Sequence, residues 1–303
     1  MGQTTPTMYR ILSLLILLLT ALSMQAETLP TGTLGKIART GTINLGHRES
    51  SVPFSYYDER RQVVGYSHDL MLEVVDDIRK ELKLPALTVR LVPITSQNRI
   101  PLVQNGSVDL ECGSTTHNRE RERQAGFSVS IFQTSSRLLT RVDSGIHQLA
   151  DLKGKRVAVT AGTTSERQLL LQGEALGAHF NIATANDHGE AFAQLQSRQV
   201  AAFLMDEAML YGLRAKADHP EEWHVVGNPM ATEVYACMFR KNDPAFKTVV
   251  DRSLTQLMKS GDILKIYRRW FQSPIPPKGL NLNWPAPEAL LDLYRNPRDI
   301  PLN

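Results

Sequence analysis

The 303-residue chain is poor in cysteine, with two, carries no excess of one charge, and has no apolar run long enough to cross a bilayer. Lys and Arg number 34 against 31 Asp and Glu, and they are dispersed rather than gathered in a basic stripe with interleaved aromatics. Nucleic-acid binding therefore has no support. There is no Gly-x-Gly-x-x-Gly phosphate loop, no metal-ligand spacing, no Ser-His-Asp order with supporting motifs, no internal repeat and no low-complexity linker. No cofactor is implied. A hydrophobic content of 42% with 21% charged residues argues against disorder, collagen-like repeats and a polytopic membrane protein. At roughly 150 residues per domain, the length suggests two domains and enough chain to bury a sizeable core.

What is present begins with residues 1–26, which contain no acidic residue and one basic one, Arg10. Ile11 to Leu22 is an almost unbroken apolar run, shorter than the roughly 20 residues a spanning helix needs. A charge, a short apolar core and then small residues make a secretory signal peptide, with cleavage after Ala26 or Ser23. The alternative is an uncleaved N-terminal anchor. No cysteine follows the run to carry a lipid. The mature chain is expected to be soluble and exported. In an oxidising compartment Cys112 and Cys237 could form one disulfide, or they could be two small buried residues on strands; spacing does not choose between these.

Short β-like runs alternate with helical patterns. Thr42 to Gly46 reads as a strand, and Leu70, Met71, Val74, Val75, Ile78 and Leu82 give Asp69 to Lys83 a helical period. Strands follow at Leu87–Leu91 and Val108–Cys112, then at Arg156–Thr160, leading into a helix from Thr164 toward Gly177. Asn181–Thr184, a helix from about Asp187, and Val200–Met205 repeat that pattern. Val234–Arg240 is a further strand, Phe246–Phe271 is mostly helical, and the Pro-rich end reads as a surface tail regular only at Pro287–Tyr294. The alternation predicts an α/β fold with largely parallel sheets.

Six polar segments fall at or just past predicted strand ends. They are Gly46-His-Arg-Glu-Ser-Ser-Val-Pro-Phe-Ser-Tyr, Pro93-Ile-Thr-Ser-Gln-Asn-Arg, Glu111-Cys-Gly-Ser-Thr-Thr-His-Asn-Arg-Glu-Arg, Thr160-Ala-Gly-Thr-Thr-Ser-Glu, Asn186-Asp-His-Gly and Met205-Asp206. Open parallel sheets bind ligands at the carboxyl ends of their strands. Arg offers a planar fork to a carboxylate, and a helix start offers N–H groups to an anion, so the set suits a small zwitterion with extra negative charge. Singly, each has a plainer use: Gly162-Thr-Thr-Ser as a helix cap, Arg119, Arg121 and Arg123 as a solvated face, His188 as a turn residue, Asp206 as a cap.

The first five of these segments, together with Ser273-Pro-Ile-Pro-Pro-Lys, closely resemble the periplasmic glutamate/aspartate-binding proteins of ABC importers, a group within family 3 of the extracellular solute-binding proteins. The likeness runs from about Leu34 to the C-terminus. It implies a type II periplasmic-binding-protein fold, in which two mixed sheets are joined by two hinge strands. The implied lobes are residues 27–135 with 236–303, and residues 136–235, with crossings near Thr134–Arg137 and Glu233–Ala236. By the resemblance, Ser114, Thr116 and Arg121 hold an α-carboxylate, helped by Thr163 and Thr164, and Asp206 meets the α-ammonium. Arg48, Ser96, Arg99 and His188 hold a side-chain carboxylate. The partners it implies are an acidic amino acid, Glu or Asp, and a membrane permease; the protein itself would be monomeric. His117 and Arg119, beside the carboxylate segment, depart from the pattern.

Two other readings use the same fold. A periplasmic dehydratase-like enzyme would need an acid at the leaving group, for which Glu49, Glu111 and Glu207 are the neighbouring candidates. A ligand-sensing module would use the same lobes to engage a receptor.

Overall fold

The computed structural model describes residues 30–175 and 180–303. The apolar run Ile11–Leu22 and both cleavage positions lie outside the described residues. Among the described residues, no helix is long and apolar enough to cross a membrane.

Helix α1 (Gly32–Thr40) ends where Gly41 turns left-handed at φ 62° and its N–H bonds back to Ile37. Strand β1 (Thr42–His47) follows, then a small antiparallel sheet of β2 (Ser50–Ser51), β3 (Ser55–Tyr57) and β4 (Val63–Val64). Helix α2 (Tyr66–Glu81) buries the apolar stripe read from the sequence. Then come β5 (Thr88–Pro93), α3 (Arg99–Gln104), β6 (Leu110–Glu111) and the one-turn α4 (Arg119–Glu122). Strand β7 (Gly126–Arg141) is 16 residues long. Beyond it lie β8 (Arg156–Thr160), α5 (Thr164–Ala175), β9 (Asn181–Ala185), α6 (His188–Gln196), β10 (Ala202–Asp206), α7 (Glu207–Lys216) and β11 (Trp223–Val226). The chain returns through β12 (Thr232–Phe239), α8 (Pro244–Ser260) and α9 (Asp262–Phe271), separated by left-handed Gly261, and the hairpin β13 (Pro274–Ile275) and β14 (Leu280–Asn281). It ends in α10 (Glu288–Arg295).

The main strand order is β5-β1-β6-β12-β7-β10-β8-β9, with β11 also on β7. Pairing is parallel at β1 with β5 and β6, and at β8 with β9 and β10. It is antiparallel wherever β7 or β12 takes part. The α/β class expected from the sequence therefore holds, but the parallel ladders are confined to the two flanks. One strand serves both halves: β7 pairs β12 as far as Ser135, opposite Thr232, and pairs β10 from Ser136, opposite Asp206. We call β5, β1, β6 and β12, with the helices packed on them, the first half, and β8–β11 with α5–α7 the second.

One expectation changes. The C-terminal segment is more than a surface tail. Leu290, Leu293 and Tyr294 of α10 are buried, Tyr294 and Tyr66 hydroxyls share a hydrogen bond of 2.7 Å, and Leu302 pairs with His117 through the backbone.

The β6–β12 register sets Met238 opposite Glu111, which brings Cys237 opposite Cys112, and the two are joined in a disulfide spanning 125 residues. Closing so long a loop restricts the unfolded chain strongly, by about 4–5 kcal/mol in the chain-entropy account. Reduction, or the double substitution Cys112→Ala with Cys237→Ala, should lower the melting temperature by about 10 °C or more, measured by calorimetry with and without reductant. An unchanged transition would show that the bridge contributes nothing.

Candidate functional site

The carboxyl ends of β1, β6, β8 and β10 converge between the halves. Of the ten residues singled out there, Arg48, Ser96, Arg99, Ser114, Thr116, Arg121, Thr163, His188 and Asp206 are buried, and Thr164 is half-buried. Local sequence places several of them. Asn118 caps α4 by accepting the Arg121 N–H at 2.9 Å, and this turn directs Arg121 inward while Arg119 stays exposed. Asp187 caps α6 by accepting the Glu190 N–H at 2.8 Å, so His188 opens the helix facing the interior.

Three guanidinium groups, those of Arg48, Arg99 and Arg121, are gathered in buried positions. Arg48 is 1% exposed and Arg99 2% exposed. Burial, and then repulsion from Arg99, push Arg48 down to about 10 and Arg121 down to about 9; burial also lowers Arg99. Arg99 is partly committed to its own half, donating to Thr115 Oγ1 at 2.6 Å. Arg121 spans the halves, donating to the Thr116 carbonyl at 3.0 Å and the Gly162 carbonyl at 3.1 Å. Arg48 Nη2 donates to His188 Nε2 at 3.4 Å. Burial and then Arg48 hold His188 well below its ordinary value, so the ring is neutral. With Nε2 accepting from Arg48, Nδ1 carries the proton and donates to Thr160 Oγ1 at 2.8 Å. Both ring nitrogens face protein groups, so His188 orients Arg48.

Carboxyl groups lie against this cluster. Asp206 accepts from the Ser136 hydroxyl at 3.0 Å and from the Tyr235 hydroxyl. Burial, then the neighbouring Glu233, raise it to about 7 against the lowering effect of those two hydrogen bonds. Glu233 is itself raised by burial. Glu111 accepts from the Gly113 N–H and the Thr115 hydroxyl, both at 2.6 Å. Glu233, Tyr235 and Ser136 were not read from the sequence as site residues, because each is one polar residue within a strand, with no local motif; Glu111 was read only as a candidate acid for the dehydratase-like alternative.

Four buried donors here lack a protein acceptor: Arg48 Nη1, Arg99 Nε, Ser96 Oγ and Ser114 Oγ. Leaving such groups unpaired costs about 1–3 kcal/mol each, more for charged ones. Thr116 differs, since its hydroxyl donates to Glu233 at 2.5 Å and so can offer only lone pairs to anything else. Thr163 also has a local role: its hydroxyl donates to the Thr160 carbonyl at 2.7 Å and accepts the Glu166 N–H, capping α5. The first-turn N–H groups of α5 have no partner within the helix. They border a cleft of about 490 Å³ lined by Ser96, Gln97 and Arg121 on one side and Gly162, Thr163 and Thr164 on the other. Backbone and side chain also meet between the halves where the Gly189 N–H donates to Ser50 Oγ at 3.1 Å.

His117 is not part of this cluster. It is buried against Phe127, with its two nitrogens facing different carboxylates, Glu122 at 3.4 Å and Asp299 at 3.5 Å. Burial lowers the His117 pKa, and the ion pair here is the one that Lys247 makes with Asp299 at 2.7 Å.

Comparison with known proteins agrees with this architecture. Residues 43–273 match the bacterial extracellular solute-binding proteins, family 3. The chain is 54% identical over 270 residues to the L-glutamate/L-aspartate-binding protein of Pseudomonas aeruginosa, covering 89% of each. It is 50% identical over 271 residues to the glutamate/aspartate import solute-binding protein of Escherichia coli, covering 89% of this chain and 90% of that one. Among solved structures, an ancestral arginine-binding protein bound to arginine aligns with a TM-score of 0.68 and 28% identity, over 76% of this chain and 98% of that one. Sequence match, strand order and a polar cleft at strand ends together lead to one conclusion: the chain belongs to family 3 of the bacterial extracellular solute-binding proteins.

Proposed function

We propose that this protein captures L-glutamate or L-aspartate between two lobes and delivers it to the membrane permease of an ABC importer. In this reading residues 1–26 direct export to the periplasm and are removed, residues 27–135 with 236–303 form one lobe, and residues 136–235 form the other. The lobes rotate about the two crossings and close on the ligand, whose contacts with both favour the closed state. The observation that carries the reading is the set of unpaired buried donors on Arg48, Arg99, Ser96 and Ser114, with Arg121 as a third buried guanidinium group in the same cluster. A carboxylate only accepts hydrogen bonds, and a dicarboxylic amino acid supplies two such groups.

Arg48, Ser96 and Arg99 meet the side-chain carboxylate, with His188 acting through Arg48. Ser114, Arg121 and the start of α5 at Thr163 and Thr164 meet the α-carboxylate. The α-ammonium lies against Asp206 and the lone pairs of Thr116. An amide in place of the side-chain carboxylate would turn its NH₂ donors toward donors and lose the charge interaction, so Gln and Asn are disfavoured. The three carboxyls named above for a dehydratase-like reaction are committed elsewhere or face solvent. Glu111 is held by Gly113 and Thr115, Glu207 accepts from Ser135 at 2.9 Å, and Glu49 is exposed. This supports binding without turnover. Calorimetric titration of ligand-stripped protein with L-Glu, L-Asp, L-Gln and L-Asn tests the assignment. Tight one-to-one binding of the acids with the amides silent is expected, and equal binding of Gln would refute it.

The raised Asp206 carboxyl gives binding a pH dependence with a definite sign. With the halves together and no ligand between them, it takes up a proton as pH falls through about 7, and only its ionised form attracts an ammonium group. Binding therefore releases a proton, and affinity should weaken on acidification by up to about tenfold per pH unit below the transition. Titrations from pH 5.5 to 8 in buffers of different ionisation enthalpy would show it, and Asp206→Asn should remove the slope. A flat profile in the unaltered protein would contradict the assignment of Asp206.

A further inference from the structure

Glu111 puts a carboxylate where an anion-binding site would least tolerate one. It ends β6, fully buried. A fixed negative charge there repels a negative ligand, so its place needs a physical reason. Thr115, also fully buried, stands between Glu111 and Arg99, with a hydrogen bond of 2.6 Å on either side. The proton directions are forced. A guanidinium has no lone pair to offer, so Thr115 Oγ1 accepts from Arg99 Nη1, and its single hydrogen goes to Glu111 Oε2. The other oxygen, Oε1, accepts the Gly113 N–H, and a Cβ on Gly113 would fall 2.5 Å from it, so the carboxylate is held closely in place. Burial lowers the pKa of Arg99, and Glu111 is foremost among the charges that oppose this; it opposes the same lowering at Arg48 and, after Glu233, at Arg121. The hydroxyl between the two charges matters as well. A direct carboxylate–arginine pair commonly takes two parallel donors. Routed through Thr115, the carboxylate takes up Nη1 and leaves Arg99 Nε without a protein acceptor.

We propose that Glu111 is a positioning residue for ligand capture: acting through Thr115, it holds the Arg99 guanidinium in place for the ligand's side-chain carboxylate without touching the ligand itself. The proposal rests on the reading of Arg99 as a ligand contact given above, and deepens it. Its effect has a sign that plain electrostatics does not share. Glu111→Gln keeps the shape and removes a negative charge from beside an anionic ligand, which by charge alone would tighten binding. In the relay the amide does harm in either orientation. Its NH₂ opposes the Gly113 N–H, or it faces Thr115 and leaves that hydroxyl's hydrogen without an acceptor. Arg99 then loses its fixed partner, and binding weakens.

The test uses the full mature chain, with L-glutamate as the probe in calorimetric titration and circular dichroism as the check on folding. Glu111→Gln should weaken binding about tenfold. In an Arg99→Met background the same substitution should cost nothing further, because the group it positions is gone, whereas a role in supporting the loop would persist there. Thr115→Val interrupts the relay without altering any charge, so it carries the test even where Glu111→Gln does not fold. It should also weaken binding about tenfold, while Thr115→Ser, which keeps the hydroxyl, should stay within about threefold of the unaltered protein. Binding by folded Glu111→Gln that equals or exceeds that of the unaltered protein, a tenfold loss that persists without Arg99, or full affinity in Thr115→Val would each overturn the role of Glu111 and leave the ligand reading standing. Failure of the unaltered protein to bind either acid would instead overturn the ligand reading, and the role of Glu111 with it.

Discussion

Gly212→Ala is expected to weaken binding of acidic amino acids by about a hundredfold or more while leaving the unliganded protein folded and no less stable. Gly212 lies inside α7 in ordinary helical geometry, where alanine is the better residue by about 0.8–1 kcal/mol. The second half should therefore gain rather than lose. The difficulty arises only across the cleft, where a Cβ at this position would fall 2.2 Å from the Val52 carbonyl oxygen and 2.7 Å from its carbon. Both are backbone atoms of a tight turn, in which the Phe54 N–H bonds the Ser51 carbonyl at 2.7 Å, so the obstacle cannot swing away. The halves would have to stand apart by about an ångström, which breaks the close-packed fit on which closure depends. The Gly189–Ser50 hydrogen bond and the Arg48–His188 contact also cross the cleft and would lengthen. Calorimetric titration with L-Glu and thermal melting without ligand check this together. Full affinity would show that closure does not need this contact. A large fall in the unliganded melting temperature would show that Val52 and Gly212 touch permanently.

Arg48→Met should cost about a hundredfold or more in affinity for glutamate and erase most of the preference over glutamine. Truncating one member of a desolvated charge pair costs about 2–5 kcal/mol, which is roughly 30-fold to several thousandfold. Arg48 is the better choice than Arg99 for this test, because Arg99 also holds Thr115. In the free protein Arg48 gains little from its surroundings: burial and Arg99 lower its pKa, and Nη1 has no acceptor. An apolar side chain of similar length should leave stability unchanged or raise it. The measurement is paired titration with L-Glu and L-Gln alongside the melting temperature. Equal losses for both ligands would move Arg48 to the shared α-carboxylate and refute its role in reading the side chain.

Much of the candidate site was legible because its parts sit in short polar segments directly after strands. Arg48 follows β1, Ser114 and Thr116 follow β6, Thr163 and Thr164 follow β8, and His188 comes just after β9, so a strand's end and the residues beyond it suffice to place them. The residues that were not legible have no such local context. Ser136, Glu233 and Tyr235 are single polar side chains within strands, where period-two alternation would turn them toward solvent as readily as inward. Arg119, Arg121 and Arg123 look alike in sequence, and only the capped turn at Asn118 turns the middle one inward. Leu290, Leu293 and Tyr294 read as part of a peripheral tail until α10 is seen to dock.

By itself the sequence determined the α/β class, the positions of most strands and helices, and the polar strand ends that resemble family 3 solute-binding proteins. All of these depend on neighbouring residues, through propensity, periodicity and capping. The tertiary structure alone decided that Cys112 meets Cys237, that Asp206 lies between Ser136 and Tyr235, that His188 faces Arg48, and that Glu233 reaches both Thr116 and Gln168. Those partners are 29 to 140 residues apart. Strand register and the meeting of the two halves bring them together, and neither is encoded in any short stretch of the chain.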